Sequence, residues 1–251
     1  MASISGKVQE RFNSADKTYD LVAIIQRKAG NFLIKKLSKI QNFTPKTVLD
    51  LGTGTGYMTE SLMKVYPQSH YTLNDIAERM LDICRLKFIK NPNCTFIQGD
   101  MAELDIDMHD LIVSNFALQW VEDLQKTIQT LYLNSSQIFA FSTLLDGTFR
   151  EWQNIINIYT DTVLQNYPKE TALAEYCNTI KGHCCFQYWT MNRTIKFDTV
   201  LSFIRYLKAL GASASHRQIP FRILRTLIRE QKRPLIISYK IFFGIFKKNI
   251  T

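Results

Sequence analysis

Three glycines at alternate positions behind an acid are the residues of this chain best placed to do chemistry: Asp50-x-Gly52-x-Gly54-x-Gly56. The run TVLDL at 47–51 ahead of them is apolar and β-branched, and MTESLMKVY at 58–66 behind them reads as a helix. Strand, glycine turn and helix open a doubly wound α/β domain, which takes a nucleotide-like ligand where its strands end. Glycine suits that turn because a side chain would block the ligand's approach and because several turn positions need positive φ. The spacing then chooses between ligands. A pyrophosphate dinucleotide wants G-x-G-x-x-G, and its last glycine would fall on Tyr57. No Gly-Lys-Ser/Thr closes the turn, which excludes a P-loop.

The elements that must position this turn follow in order. HYTLN at 70–74 reads as a second strand with Asp75 directly after it, and IAERMLDICRLKFIK at 76–90 as an amphipathic helix ending at Asn91-Pro92. An acid at that strand end is the residue type that holds ribose hydroxyls in such folds. It is equally the type that caps a helix N-terminus, and the two roles are compatible. Asn74 just before it leaves the ribose acid displaceable by one position. CTFIQ at 94–98 is a third strand, closed by Gly99-Asp100-Met101-Ala102, and DLIVSN at 110–115 a fourth. Asp50, Asp75, Asp100 and Asn115 therefore stand at the carboxyl ends of four successive strands. VEDLQKTIQTLYL and QIFAFSTL continue the alternation of helix and strand, and the crossover rule makes these strands parallel with helices on both faces.

Outside this core, residues 1–43 read as a helical segment, with Leu21, Ile24, Ile25, Phe32, Ile34 and Leu37 as its apolar set and Thr44-Pro45 as its break. Residues 44–145 form the ligand-binding core. Residues 146–215 read as a helical lid, carried by WQNIINIYTDTVLQNY and TVLSFIRYLKALGA. In residues 216–251 a basic helix at 222–233 precedes PLIISYKIFFGIFKK, which reads as the paired final strands. The expectation is one α/β domain spanning 1–251, with a doubly wound, mostly parallel seven-stranded sheet and a helical lid insertion.

Asp50-x-Gly52-x-Gly54-x-Gly56 resembles motif I of class I S-adenosylmethionine methyltransferases, and that ligand's ammonium and sulfonium suit an acid ahead of the glycines. By the same resemblance Asp100 receives the adenine amino group and Met101 packs on the ring. The chain as a whole resembles the BioC family, the malonyl-acyl carrier protein O-methyltransferases of biotin synthesis. Phe12, Tyr19 and Gln26 at intervals of seven match the family's N-terminal pattern. VLDLGTGTGYMTESL, LNDIAERML, SNFALQW followed by VEDL, FSTLLDGTFREW, LSFIRYLKALGAS and YKIFFGIFKK are similar to its later segments. Thr53 and Thr55 stand where many relatives carry cysteine or proline.

The resemblance implies methyl transfer from S-adenosylmethionine to the free carboxylate of malonyl-acyl carrier protein, or of malonyl-coenzyme A. A carboxylate is already ionised at pH 7, so no general base is needed. It further implies cofactor contacts at Asp50, Gly52, Gly54, Gly56, Asp75, Asp100, Met101 and Asn115. Tyr19 is the candidate for positioning donor or substrate, and Arg205 for gripping the malonyl carboxylate. Gln119 and Trp120 read as pocket wall, and His216 as a surface residue. A small-molecule methyltransferase of the ubiquinone type stays open on the same fold, as does a methyltransferase-like assembly factor.

Composition narrows the partners. The net charge is +9, and from Thr190 onward thirteen Lys/Arg face two acids. A basic face of this kind implies an anionic partner. Acyl carrier proteins are acidic, so Arg217, Arg222, Arg225, Arg229, Lys232 and Arg233 form the candidate docking set. A nucleic acid partner is disfavoured: no separate RNA-binding module is evident, and Ser114-Asn115-Phe116-Ala117 stands where a base-flipping Asn-Pro-Pro-Tyr/Phe motif would. Cys84, Cys94 and Cys177 are isolated and Cys184-Cys185 adjacent, without zinc spacing, so no metal is expected. No apolar run reaches membrane-span length and the N-terminus lacks an apolar signal core, which points to the cytoplasm.

Overall fold

The computed structural model describes residues 4–161, 166–182, 185–212, 219–231 and 233–248. In chain order the elements are α1 (Ile4–Ala15), α2 (Tyr19–Val22), α3 (Ile24–Leu37), β1 (Thr47–Leu51), α4 (Tyr57–Val65), β2 (His70–Asp75), α5 (Glu78–Lys87), β3 (Cys94–Gln98) and β4 (His109–Asn115). A 3-10 turn at Leu118–Trp120 leads to α6 (Leu124–Leu133), β5 (Ser135–Leu144), α7 (Arg150–Asn157), α8 (Glu170–Thr179), β6 (Cys185–Phe197), α9 (Val200–Ala209), α10 (Phe221–Glu230) and β7 (Leu235–Lys247). Among the described residues the strands form one seven-stranded sheet in the order β3-β2-β1-β4-β5-β7-β6. The first five pair in parallel, and β7 runs antiparallel to both its neighbours.

Side-chain alternation along the strands divides the core into two faces. Val48, Leu73, Val113 and Phe243 join one cluster, with Leu33 and Leu37 of α3 and Leu62 of α4. Leu49, Ile112, Phe139 and Phe242 join the other, with Ile128 and Leu131 of α6 and Leu173 of α8. Burying each such side chain fully is worth about 1.5–3 kcal/mol. The chain leaves β1 towards β2 and β3 and returns to β4 on the other side of β1. That reversal is where ligands settle in open α/β sheets. Register sharpens it: Leu51 lies opposite Asn74 on one side and Ser114 on the other, so the three strands finish level.

The structure departs from the sequence reading in three places. The segment 146–215 is not wholly helical: its sequence CFQYWTMNRTIKF forms β6, rich in aromatic and β-branched residues and paired with β7 from Cys185↔Lys247 to Phe197↔Leu235. The C-terminal run is not a pair of strands but one, β7. Its glycine makes no turn; an added Cβ at Gly244 would lie 2.5 Å from the Phe141 ring of β5, so glycine permits close packing there. Residues 1–43 make three helices rather than one, α3 ends at Leu37, and the break falls before Thr44-Pro45. Among the described residues no helix is long and apolar enough to cross a membrane.

Candidate active site

The glycine turn after β1 is left-handed at all three glycines, with φ of +67° at Gly52, +56° at Gly54 and +76° at Gly56. Gly52 has a second reason to be glycine, because a Cβ there would collide with the Ala117 side chain. This close approach of the β1 and β4 exits forms the floor of a cavity. Gly52, Gly54, Asp75, Asp100 and Met101 line an open cavity there, with Phe12 of α1 and Tyr19 of α2 on its other wall.

Each acid at this floor has a distinct structural task. Asp75 accepts from the Gly54 N–H through Oδ2 and from the Ala77 N–H through Oδ1, both at 2.8 Å. It therefore ties β2 to the glycine turn while walling the cavity. The N-cap of α5 is Ala77, so Asp75 is not itself the cap. Asn74 points elsewhere, donating to the carbonyls of Ile97 and Gly99 at 3.0 Å, which leaves Asp75 as the acid facing the cavity. Asp50 is buried and accepts from the hydroxyls of Thr53 (2.9 Å) and Thr59 (2.6 Å). Burial raises both carboxyl pKa values to about 6, opposed in Asp50 by the two hydroxyls and in Asp75 by the backbone N–H groups. Asp100 accepts from the Ala102 N–H at 3.0 Å beside the cavity-lining Met101.

Two further recesses adjoin this cavity, and Tyr19 walls all three. The polar recess gathers Asp50, Asn115, Thr55, Asp20 and Arg27. Asp20 accepts from the Thr55 hydroxyl at 2.7 Å and pairs with Arg27 at 3.1 Å, while the Arg27 guanidinium lies 5.3 Å from the centre of the Tyr57 ring. Arg27 and Asp20 are not among the residues that the sequence singles out. Their adjacency to Gln26 and Tyr19 was the available signal. Asn115 donates to the Gln26 carbonyl at 3.1 Å and accepts from the Ser142 hydroxyl at 2.7 Å. Burial and the nearby Asp75 and Asp20 carboxylates push the Tyr19 hydroxyl well above its usual pKa, so it stays protonated.

The second recess is largely aromatic and shares Phe12, Tyr19, Phe116 and Trp120 with the first cavity. Phe12, Tyr19 and Gln26 sit on three different helices, so their spacing of seven is not a helical stripe; all three nevertheless meet at this recess. Phe116 adopts φ of +56°, a strained choice for a bulky residue, held by its N–H bond to the Ser142 hydroxyl at 3.1 Å.

Other candidates fall elsewhere. Arg205 is exposed on α9 and walls neither recess. Arg222, Arg225 and Arg229 line one exposed face of α10 together with Phe221 and Ile228. Arg233 is exposed just before β7. Arg217, Lys232, His216, His183 and Cys184 lie outside the described residues.

Known proteins place this geometry. A family model described as "Methyltransferase domain" matches residues 48–133. A malonyl-[acyl-carrier protein] O-methyltransferase of Neorickettsia risticii is 28% identical over 248 residues, 96% of each chain. Its namesake from Bacillus cereus is 38% identical over 222 residues, 83% of this chain and 81% of that one. Among solved structures, magnesium protoporphyrin IX methyltransferase from Synechocystis PCC 6803 shares the fold, with a TM-score of 0.58 at 15% identity over 90% of this chain and 85% of that one. With 38% identity across four-fifths of a relative, and a glycine turn and strand-end acids of the matching kind, the chain belongs to the malonyl-[acyl-carrier protein] O-methyltransferase family of class I methyltransferases.

Proposed function

We propose that this enzyme transfers a methyl group from S-adenosylmethionine to the free carboxylate of malonyl-acyl carrier protein. The observation that carries the reading is the pair of adjoining cavities, one edged by strand-end acids and the other aromatic, with four residues in common. S-adenosylmethionine supplies a methyl carbon activated by a positively charged sulfur. Asp75 would take the ribose hydroxyls, Asp100 and Met101 the adenine, and the polar recess of Asp50, Asn115 and Arg27 the amino-acid end. Arg27 suits that end's carboxylate and Asp50 its ammonium.

The acceptor carboxylate needs no deprotonation, so the residues around it have only to align and desolvate it. Attack by an anion on a cationic methyl donor consumes both charges. Aromatic walls at Phe12, Phe116, Trp120 and Phe149 favour that loss of charge by excluding water. The exposed arginines of α10 suit an acidic carrier protein. Arg205, on the helix packed against α10, belongs with that docking face in this reading rather than with the carboxylate. The test is transfer of labelled methyl to malonyl-acyl carrier protein, with acetyl-acyl carrier protein as control. Label on the malonyl species alone supports the reading; label on neither overturns it.

A further inference from the structure

Among the described residues, three buried polar atoms in residues walling the aromatic recess have no hydrogen-bond partner: Trp120 Nε1, Gln119 Oε1 and Gln26 Oε1. Leaving a buried donor or acceptor unmade costs about 1–3 kcal/mol each, and native folds leave few such groups without a partner. The Gln119 amide is fixed in sense, because its Nε2 donates to the Phe116 carbonyl at 2.7 Å. Trp120 is held in place by the 3-10 turn and by an edge-on contact with Phe12, ring centres 5.9 Å apart. It also walls the donor cavity, and so stands where donor and acceptor meet.

An indole N–H donates and cannot accept, so its partner must be an acceptor atom. A carboxylate offers only acceptors, whereas an ammonium offers only donors. Resting on the function proposed above, we infer that Trp120 is the acceptor-selecting residue of this enzyme: its Nε1–H bonds one carboxylate oxygen while the other attacks. The attacking oxygen forms the O–CH3 bond as the C–S bond breaks, the bonding pair leaves with sulfur, and no proton moves. The amide oxygens of Gln119 and Gln26 complement N–H groups behind the acyl tip, as an amide-bearing pantetheine arm presents them. The recess thus pairs one donor for an oxygen acid with acceptors for its carrier arm.

The test compares the full-length wild type with Trp120→Phe, and with an enzyme carrying the isosteric benzothienylalanine at position 120, which keeps the ring shape and removes the N–H. Loss of a hydrogen bond to a charged group should lower kcat/KM for malonyl-acyl carrier protein about 10- to 100-fold in both. In the isosteric variant, where the ring that walls the donor cavity keeps its shape, the dissociation constant for S-adenosylhomocysteine should stay within about twofold of wild type. Wild-type turnover in either variant, or a loss confined to S-adenosylhomocysteine affinity, would overturn the inference. A wild type that labels no malonyl substrate would instead sink the functional reading beneath it.

Discussion

Asp50 and Asp75 are both closed off from solvent, and burial raises each carboxyl pKa from 3.8 to about 6. A raised folded pKa means the stability these groups contribute is fully present below pH 3.8, and is lost as pH rises through about 6. Donor binding should run the other way, because ribose hydroxyls and an ammonium prefer ionised carboxylates. S-adenosylmethionine affinity is therefore expected to rise between pH 5 and 7, with protons released on binding near pH 6 and a plateau above. Calorimetry in buffers of different ionisation enthalpy reads this directly; a pH-independent affinity would refute it. Asp75→Asn probes the same carboxylate without pH. The amide nitrogen would face either the Gly54 or the Ala77 N–H, donor against donor. Donor affinity is expected to fall about tenfold or more, while far-ultraviolet circular dichroism stays native.

At the scale of elements, the parallel half of the sheet was legible because each strand is short, apolar and followed by an amphipathic helix. The acids at the strand ends were legible for the same reason: a strand's end fixes where its next side chain goes. The antiparallel half was not. Gly244 has the composition of a turn residue, and nothing in the one-dimensional pattern shows Phe141 pressing on it from β5. The aromatic run of β6 mimics the helical stretches on either side. Gly244→Ala would drive a methyl group to 2.5 Å from the Phe141 ring. Overpacking of this kind costs about 1–3 kcal/mol, which should appear as a lowered Tm. Phe141→Leu added to Gly244→Ala should recover part of that loss if the contact is the cause, whereas additive losses would place the strain elsewhere. The N-terminal helices show the complementary limit. Phe12, Tyr19 and Gln26 were recognisable by their match to the family's N-terminal pattern, yet they converge through two chain breaks that no periodicity encodes.

Across the whole molecule, charge was the easiest property to read and its use the hardest. The basic C-terminal quarter is plain in the composition, but the family resemblance made Arg205 the candidate for the malonyl carboxylate, and the fold holds it on an exposed helix face. Position in a lid-like segment says little about which way a helix turns its arginines. The same fold puts Arg222, Arg225 and Arg229 together at intervals of three and four, with Leu227 buried on the opposite side. The glycine turn and its cavity belong to other elements, so reversing these charges should leave the donor site intact. Replacing all three with glutamate is expected to raise KM for malonyl-acyl carrier protein about tenfold or more at low salt, by turning attraction into repulsion. As salt shortens the Debye length below about 5 Å, variant and wild type should converge. Malonyl-pantetheine, which carries no acidic protein, should be methylated equally by both. Equal loss on malonyl-pantetheine would mean that the helix supports the fold rather than the partner.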